Sequence, residues 1–361
     1  MEYRNLGSTG IKISRLGFGC MRLPSIAKKC DVPASVKLLR EAYEKGINYF
    51  DTGDAYMDHT SESTVAQAIK PFRNKVYLST KTRSRDFDEF QKHFEGRLKI
   101  FGTVDVYHFW GTDLKGFEKM HSDDKIFNFM YKAKKEGKIR AIAASFHDEN
   151  QPENAKKVID YGVLDSIMFS YNILNYQKHE KWIEYAHKKG VGTIAMNPVG
   201  GGLLSELTPE LKAKHPDMEQ KSVEIALKYL LNNPNLDMLL SGMGSSQMLD
   251  FNVKTVSSDY SLQPKDYELI AALREEKKDA LKLFCTGCKY CSKCPQQIEI
   301  HKIFKLYNQS IIYNSFEACK KEYKKIKYNF NYCIACGACE AECPQSLKII
   351  ENLEKIDKIF E

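Results

Sequence analysis

Eight of the eleven cysteines fall in two runs near the end of the chain. Cys285, Cys288, Cys291 and Cys294 lie in CTGCKYCSKCP, and Cys333, Cys336, Cys339 and Cys343 in CIACGACEAECP. Thiolates at this spacing suit iron–sulfur chemistry, because a backbone that turns every third residue presents three sulfurs to one cuboid while a proline diverts the fourth. Where two such runs share two clusters, the proline-flanked cysteine of each run crosses to the other cluster. That rule groups Cys285, Cys288 and Cys291 with Cys343, and Cys333, Cys336 and Cys339 with Cys294. The second run has the full bacterial spacing, whereas the first is one residue short before its last cysteine. Disulfides would imply an oxidising compartment, yet the chain opens MEYRNLGSTG with no apolar leader and is too large to need staples. Zinc would be satisfied by two CxxC pairs and would leave four cysteines over.

A second set of chemically capable residues, Asp51, Tyr56 and Lys81, lies at the polar ends of short apolar runs. An ammonium held by a carboxylate and set beside a phenol favours the phenolate, which makes the phenol a better proton donor. The same three residues would also serve as an ordinary rim salt bridge with a tyrosine nearby, and the residues alone leave both readings open.

Positioning these residues requires a regular scaffold, and the pattern supplies one. YRNLGSTGIKIS reads as two short strands around a glycine-rich turn, followed by an apolar strand from Leu16 to Cys20. The β-rich runs INYFD, KVYLST, VDVYHFW, IRAIAAS, SIMFSY, VGTIAM and MLLSG then alternate with helix-period segments beginning near Val32, Ser61, Asp86, Asp123, Pro152, Gln177, Lys221 and Ser245. Strict alternation demands parallel strands with helical crossovers, and eight units over about 250 residues is the size at which such a sheet closes into a (β/α)8 TIM barrel. An open doubly wound sheet usually announces itself by GxGxxG after the first strand, and no third glycine follows Gly17 and Gly19. The expected organisation is a barrel over residues 1–275 and a small α-rich iron–sulfur domain over 276–361.

Composition narrows the function further. A chain of 361 residues with 28% charged residues has room for a full core plus a small domain. No stretch approaches the roughly 20 apolar residues of a membrane helix. A net charge of +7 is modest for this length and does not point to nucleic acid. A cytoplasmic protein is expected.

DTGDAY after strand two, STK in strand three, LGFG at the start and KIRAIAASFHD at strand five together resemble the aldo-keto reductase family, and CTGCKYCSKCP resembles the cysteine run of its bacterial branch with an appended ferredoxin-like domain. The resemblance implies hydride transfer between NAD(P)H and a small carbonyl or alcohol substrate. It also implies Tyr56 as general acid, Lys81 as its activator and Asp51 as the carboxylate holding Lys81. The family's usual histidine position in strand four falls on Trp110, with His108 two residues earlier on the same side and one layer deeper. The usual glutamine of strand six falls on Met168, leaving Ser145 to meet a nicotinamide amide. Around the adenosine phosphate the family's usual residues fall on Gly242, Met248 and Phe251, with only Asn252 matching. Gly242, Met243, Gly244 and Ser245 still form a glycine-rich entry to a helix whose N–H groups suit a phosphate, though a plain turn and helix cap would read the same. Without a cation there, selectivity for NADP loses its usual basis. Cys20 is expected as a buried, inert thiol, and Asn197 with Gly200 to Gly202 as a bare loop over the site.

In the tail, Lys320, Lys321, Lys324, Lys325 and Lys327 read either as a solvated helix face or as a docking patch for an acidic electron-transfer protein. Cys319 reads as a free thiol, and ENLEKIDKIFE as an amphipathic helix able to pack back on the barrel. Two functions follow. One is an iron–sulfur oxidoreductase with two 4Fe–4S clusters and NAD(P)H; the other is a degenerate barrel that scaffolds an electron-transfer module.

Overall fold

The computed structural model describes residues 1–361 apart from 113, 147–151, 206, 208, 217, 278–284, 286, 288, 313–315, 344 and 346. Of residues 152, 178, 209, 218–220, 311 and 312 only the backbone is described. Cys288 and Asp113 therefore lie outside the described residues. The chain divides into two compact units, Met1–Pro198 with Leu227–Ser261, and Val199–Ala226 with Leu262–Glu361.

The first unit is a closed barrel. Its strands are β1 (Leu16–Gly19), β2 (Tyr49–Asp51), β3 (Tyr77–Thr82), β4 (Val106–Thr112), β5 (Ala141–Phe146), β6 (Ser166–Ser170), β7 (Gly192–Met196) and β8 (Met238–Ser241). They pair in chain order, all parallel, and β8 returns to β1 through Leu239↔Leu16 and Ser241↔Phe18. Tyr3–Asn5 and Lys12–Ser14 form an antiparallel hairpin before β1. Leu6, Ile11 and Ile13 of that hairpin share a core with Tyr49, Val106, Ala141, Met168, Ile194 and Met238 from the barrel strands. The approach is close enough that a side chain at Gly192 would lie 2.5 Å from Leu6 Cδ1.

The helices of this unit follow from capping and apolar spacing. α1 (Val32–Glu44) starts at Asp31, whose carboxylate accepts from the Ala34 N–H, with proline in the first turn. α2 (Ser61–Ile69) follows the loop after β2, and α3 (Phe87–Phe101) is capped by Asp86 on the Glu89 N–H. Beyond β4 the chain makes two helices, α4 (Leu114–Asp123) and α5 (Lys125–Lys135), where the periodicity suggests one beginning near Asp123. Phe117 and Met120 are buried three residues apart on α4 and give it an apolar face. β1 likewise stops at Gly19, one residue short of Cys20, which opens a 3-10 turn running to Arg22.

α6 (Pro152–Asp160), α7 (Tyr176–Lys188) and α10 (Ser246–Ser257) belong to the first unit with the end of α9 (Met218–Leu231), whereas α8 (Pro209–Lys214) and the start of α9 fall in the second. The stretch expected as a bare loop after β7 holds a 3-10 segment, Gly200–Ser205, and α8. In the second unit come α11 (Pro264–Lys277), α12 (Ile300–Ile312), α13 (Phe316–Tyr323), α14 (Ala338–Ala341) and α15 (Ile349–Phe360). The apolar face of α15, Leu353, Ile356 and Phe360, lies in a core with Ile303 and Phe304 of α12 and with Cys319 and Tyr323 of α13.

A buried arginine helps close the barrel. Arg15 is 0% exposed and donates to the carbonyls of Leu231 (2.7 Å), Leu236 and Asp237. Burial and the charge of Arg4 push it down to about 10. Replacing it strands several buried acceptors, each worth about 1–3 kcal/mol when left unpaired. Arg15→Met is expected to lower barrel stability by about 3 kcal/mol, read from urea unfolding followed by the fluorescence of Trp110 and Trp182.

Candidate active site and candidate iron–sulfur sites

Asp51 ends β2, and Lys81 lies near the end of the neighbouring β3, so the register Asp51↔Ser79 sets both at one rim. The Lys81 ammonium donates to Asp51 Oδ1 (2.8 Å) and Oδ2 (2.6 Å), to the Thr52 carbonyl (2.9 Å) and to the Tyr56 hydroxyl oxygen (3.1 Å). Ser79 Oγ donates to Asp51 Oδ1 at 2.6 Å. Lys81 and Asp51 are 1% and 2% exposed, which makes the ion pair a buried one. Three N–H groups face four oxygens, so the carboxylate shares donors and the phenolic oxygen is an acceptor. The phenol's own proton is therefore directed away from the lysine.

Tyr56 is placed by an unusual turn. Met57, Asp58 and His59 follow it with φ of 53°, 50° and 65°, three consecutive side-chain-bearing residues in the left-handed region. The turn is tied by Thr60 N–H to the Met57 carbonyl and Ser61 N–H to the Tyr56 carbonyl. Gly53 leaves room for the pair, since a side chain there would stand 3.2 Å from Lys81 Cγ and 3.5 Å from Tyr56 Cε1. Cys20 is fully buried, and burial, reinforced by Asp51, pushes its thiol well up, as suits an inert group.

Trp110 lies beside the phenol. Its ring meets Tyr56 edge to face at 5.5 Å, and the Arg83 guanidinium sits 4.5 Å from the indole centroid. Arg85 donates to the Trp110 carbonyl at 2.8 Å, at a bulge where Gly111 has φ 62° and the β4–β5 register shifts. His108, paired with Lys81 across β3 and β4, is 0% exposed and neither ring nitrogen has a hydrogen bond of good geometry. Burial and then Lys81 hold its pKa well down, against a weak contact with the Ala144 backbone. Met168 is buried in the barrel core, beside Ser145 in the register. Ser145 Oγ accepts the Gly111 N–H at 3.1 Å.

The glycine-rich turn after β8 leads into α10, where Ser245 Oγ accepts the Met248 N–H. Met243 is buried, whereas Met248 and Phe251 are exposed. Asn252 is buried and donates to Ser241 Oγ at 3.1 Å, which ties α10 to β8. Nothing local in the sequence marks the cation found here. The β8–β1 pairing carries Arg22 onto this turn, so that a side chain at Gly242 would lie 3.3 Å from Arg22 Cδ, and one at Gly244 3.3 Å from the Arg22 carbonyl. The turn is thus a close cradle with the Arg22 stem packed against it.

The described cysteines of the two runs line two small hollows. One is lined by Cys294, Cys333, Cys336 and Cys339 with Ile298, Ile300, Ile350 and Leu353. The other is lined by Cys285, Cys291 and Cys343 with Ile300, Phe304, Leu347, Lys289 and His301. Corresponding positions of the two loops share a left-handed backbone, Gly287 and Lys289 in one, Ala335 and Gly337 in the other. Among the described residues no three His, Cys, Asp or Glu side chains converge on a point fit for a single ion. Thiols spread around a largely apolar hollow offer water few partners and suit a polynuclear sulfide core. Burial, then Glu340 and Cys294, push the Cys339 thiol up to about 11.

Comparison with known proteins agrees with both halves. The Aldo/keto reductase family profile matches residues 15–275, and a 4Fe-4S dicluster domain profile matches 284–348. L-galactose dehydrogenase of Arabidopsis thaliana is 28% identical over 300 residues, spanning 73% of this chain and 90% of that protein. The oxidoreductase YqkF of Bacillus subtilis is 26% identical over 298 residues, 72% of this chain and 92% of that one. The holo form of the aldo-keto reductase AKR11C1 from Bacillus halodurans superposes with a TM-score of 0.64 at 25% identity, covering 76% of this chain and 96% of that one. Fold and site define an oxidoreductase of the aldo-keto reductase type with a C-terminal 4Fe–4S dicluster domain. The chain belongs to the aldo/keto reductase family. No helix among the described residues is long and apolar enough to cross a membrane.

The buried histidine gives a sign-definite expectation. His108 is held neutral in the folded barrel, whereas an unfolded chain protonates it below its ordinary value of 6.5. Its contribution is therefore complete above that pH and is lost as pH falls, at up to about 1.4 kcal/mol per pH unit. His108→Leu is expected to flatten the fall in urea midpoint between about pH 6.5 and 5.5, read from tryptophan fluorescence.

Proposed function

We propose that the barrel interconverts a small carbonyl compound and its alcohol with NAD(P)H, and that the two cysteine-lined cavities hold 4Fe–4S clusters. The first part rests on one observation, the buried Lys81 ammonium shared between Asp51 and the Tyr56 oxygen. Bound NAD(P)H would supply the hydride. Tyr56 gives its proton to the carbonyl oxygen, and Lys81, fixed by Asp51 and Thr52, stabilises the phenolate left behind. Trp110 walls the phenol off from water at the position where the family resemblance implies a histidine. Ser145 and the Gly242, Met243, Gly244 and Ser245 turn, with Arg22, are assigned to the dinucleotide. Asn252 is assigned to the dinucleotide as well, while it anchors α10 through Ser241.

For the clusters, Cys333, Cys336, Cys339 and Cys294 are assigned to one, and Cys285, Cys288, Cys291 and Cys343 to the other. A hydride carries two electrons and each cluster accepts one, so the two centres are not required to exchange electrons directly. The L-galactose dehydrogenase relative supports hydroxyl–carbonyl chemistry by its name alone. Trp110 and Met168 favour the competing reading, a barrel that only scaffolds the dicluster domain.

Tyr56→Phe is expected to cut kcat for carbonyl reduction at least about 100-fold while leaving nucleotide Kd unchanged. Arg22→Ala should weaken NADPH binding about tenfold, measured by quenching of Trp110. No quenching by either nucleotide at about 1 mM would install the scaffold reading instead. Cys336→Ala should halve iron and labile sulfide in anaerobically purified protein, from about eight of each per chain.

A further inference from the structure

We propose that the exposed tip of the second cysteine loop, with the lysines that lead into it, is the docking surface for an acidic one-electron carrier protein. This rests on the reading that Cys294, Cys333, Cys336 and Cys339 hold a cluster. Cys336 is exposed at the tip of the second loop, flanked by Ile334 (60% exposed) and exposed Ala335. Tyr332, just before the loop, is 48% exposed. Two large apolar side chains beside a solvent-facing ligand thiol form the centre of a contact surface that a partner would cover.

Charge supplies the rest. From Lys320 to Lys327 the chain carries five lysines against one carboxylate, Glu322. They are not one face of a helix, because α13 ends at Tyr323 and Lys324, Lys325 and Lys327 lie on the turn that leads to the cysteines. Tyr323 and Ile326 bury themselves in the domain core, which leaves the lysines between them outward. Lys327 sits 5.0 Å from the centre of the Tyr328 ring, and Tyr328 meets Tyr332 edge to face at 5.2 Å, so basic stretch and apolar tip are continuous. Among the described residues Lys325 alone of the five is in an ion pair, at 2.6 Å from Glu322. A carboxylate-rich partner gains from this surplus at encounter, and the apolar tip brings it within short range of Cys336. Each encounter passes one electron, lost by one protein and gained by the other, with no bond made or broken.

The test uses the full chain with its iron and sulfide retained, and an acidic bacterial flavodoxin as probe. Binding is followed by biolayer interferometry at about 50 mM and about 300 mM salt. Wild type is expected to bind more weakly as salt rises. K320E/K324E/K327E should weaken binding at least tenfold at low salt and flatten the salt dependence. Ile334→Ser should weaken it several-fold at both salt concentrations, with iron content unchanged. No flavodoxin binding, a triple variant within twofold of wild type, or equal loss from a K70E/K75E control on the barrel would overturn the proposal. Dithionite bleaching separates the two levels: a protein whose visible absorbance does not bleach fails as a redox cluster protein, whereas one that bleaches but ignores flavodoxin fails only in the docking surface.

Discussion

A charged lysine with almost no access to water is the constraint on which the catalytic half of the molecule is built. An ammonium buried without partners costs several kcal/mol, so its surroundings have to supply acceptors, and here they come from three consecutive pieces of chain. Asp51 ends one strand, Thr52 begins the loop beyond it and Tyr56 sits four residues further on, while Lys81 itself is on the next strand. The pairing thus welds two neighbouring strands at their carboxyl ends and aims a phenol in the same act. Stability and chemistry are not separable at this point. Removing the carboxylate would leave an uncompensated charge as well as a misdirected phenol.

The second unit answers a different constraint, how to keep many thiols apart without a large core. Two loops of like conformation place their sulfurs around two hollows, and α12 and α15 close the apolar sides. Ile300 at the start of α12 lines both hollows, so one side chain is a common wall. The missing residue before Cys294 does not prevent its crossing to the far loop, since the proline that follows it turns the chain in either spacing.

Much of this was legible beforehand, for reasons that differ by residue. The barrel follows from strict alternation, which leaves parallel pairing little freedom, and the rim trio follows from polar residues at strand ends. The thiol grouping follows from proline placement. What escaped depends on contacts distant in sequence. Arg22 reaches the Gly242 turn only because β8 closes on β1, a pairing more than two hundred residues apart. Asn252 matches a ligand position by spacing, and its amide also donates to Ser241, a contact that no spacing shows. α4 went unseen because a glycine at 116 and scattered charges obscure its two buried anchors, Phe117 and Met120. His108 was placed correctly in depth, but its lack of hydrogen bonds is a property of its neighbours.

The left-handed run Met57–His59 carries a consequence for how the active site comes into being. Each of these residues disfavours its own conformation by about 1 kcal/mol, so the segment has no tendency to adopt this shape as a free peptide. Beyond its local bonds it is held through Tyr56 to Lys81 on β3 and through Thr60, whose hydroxyl accepts the Cys30 N–H. The orientation of the phenol is therefore a property of the assembled rim, and local opening at this edge would release it while the rest of the barrel stays folded.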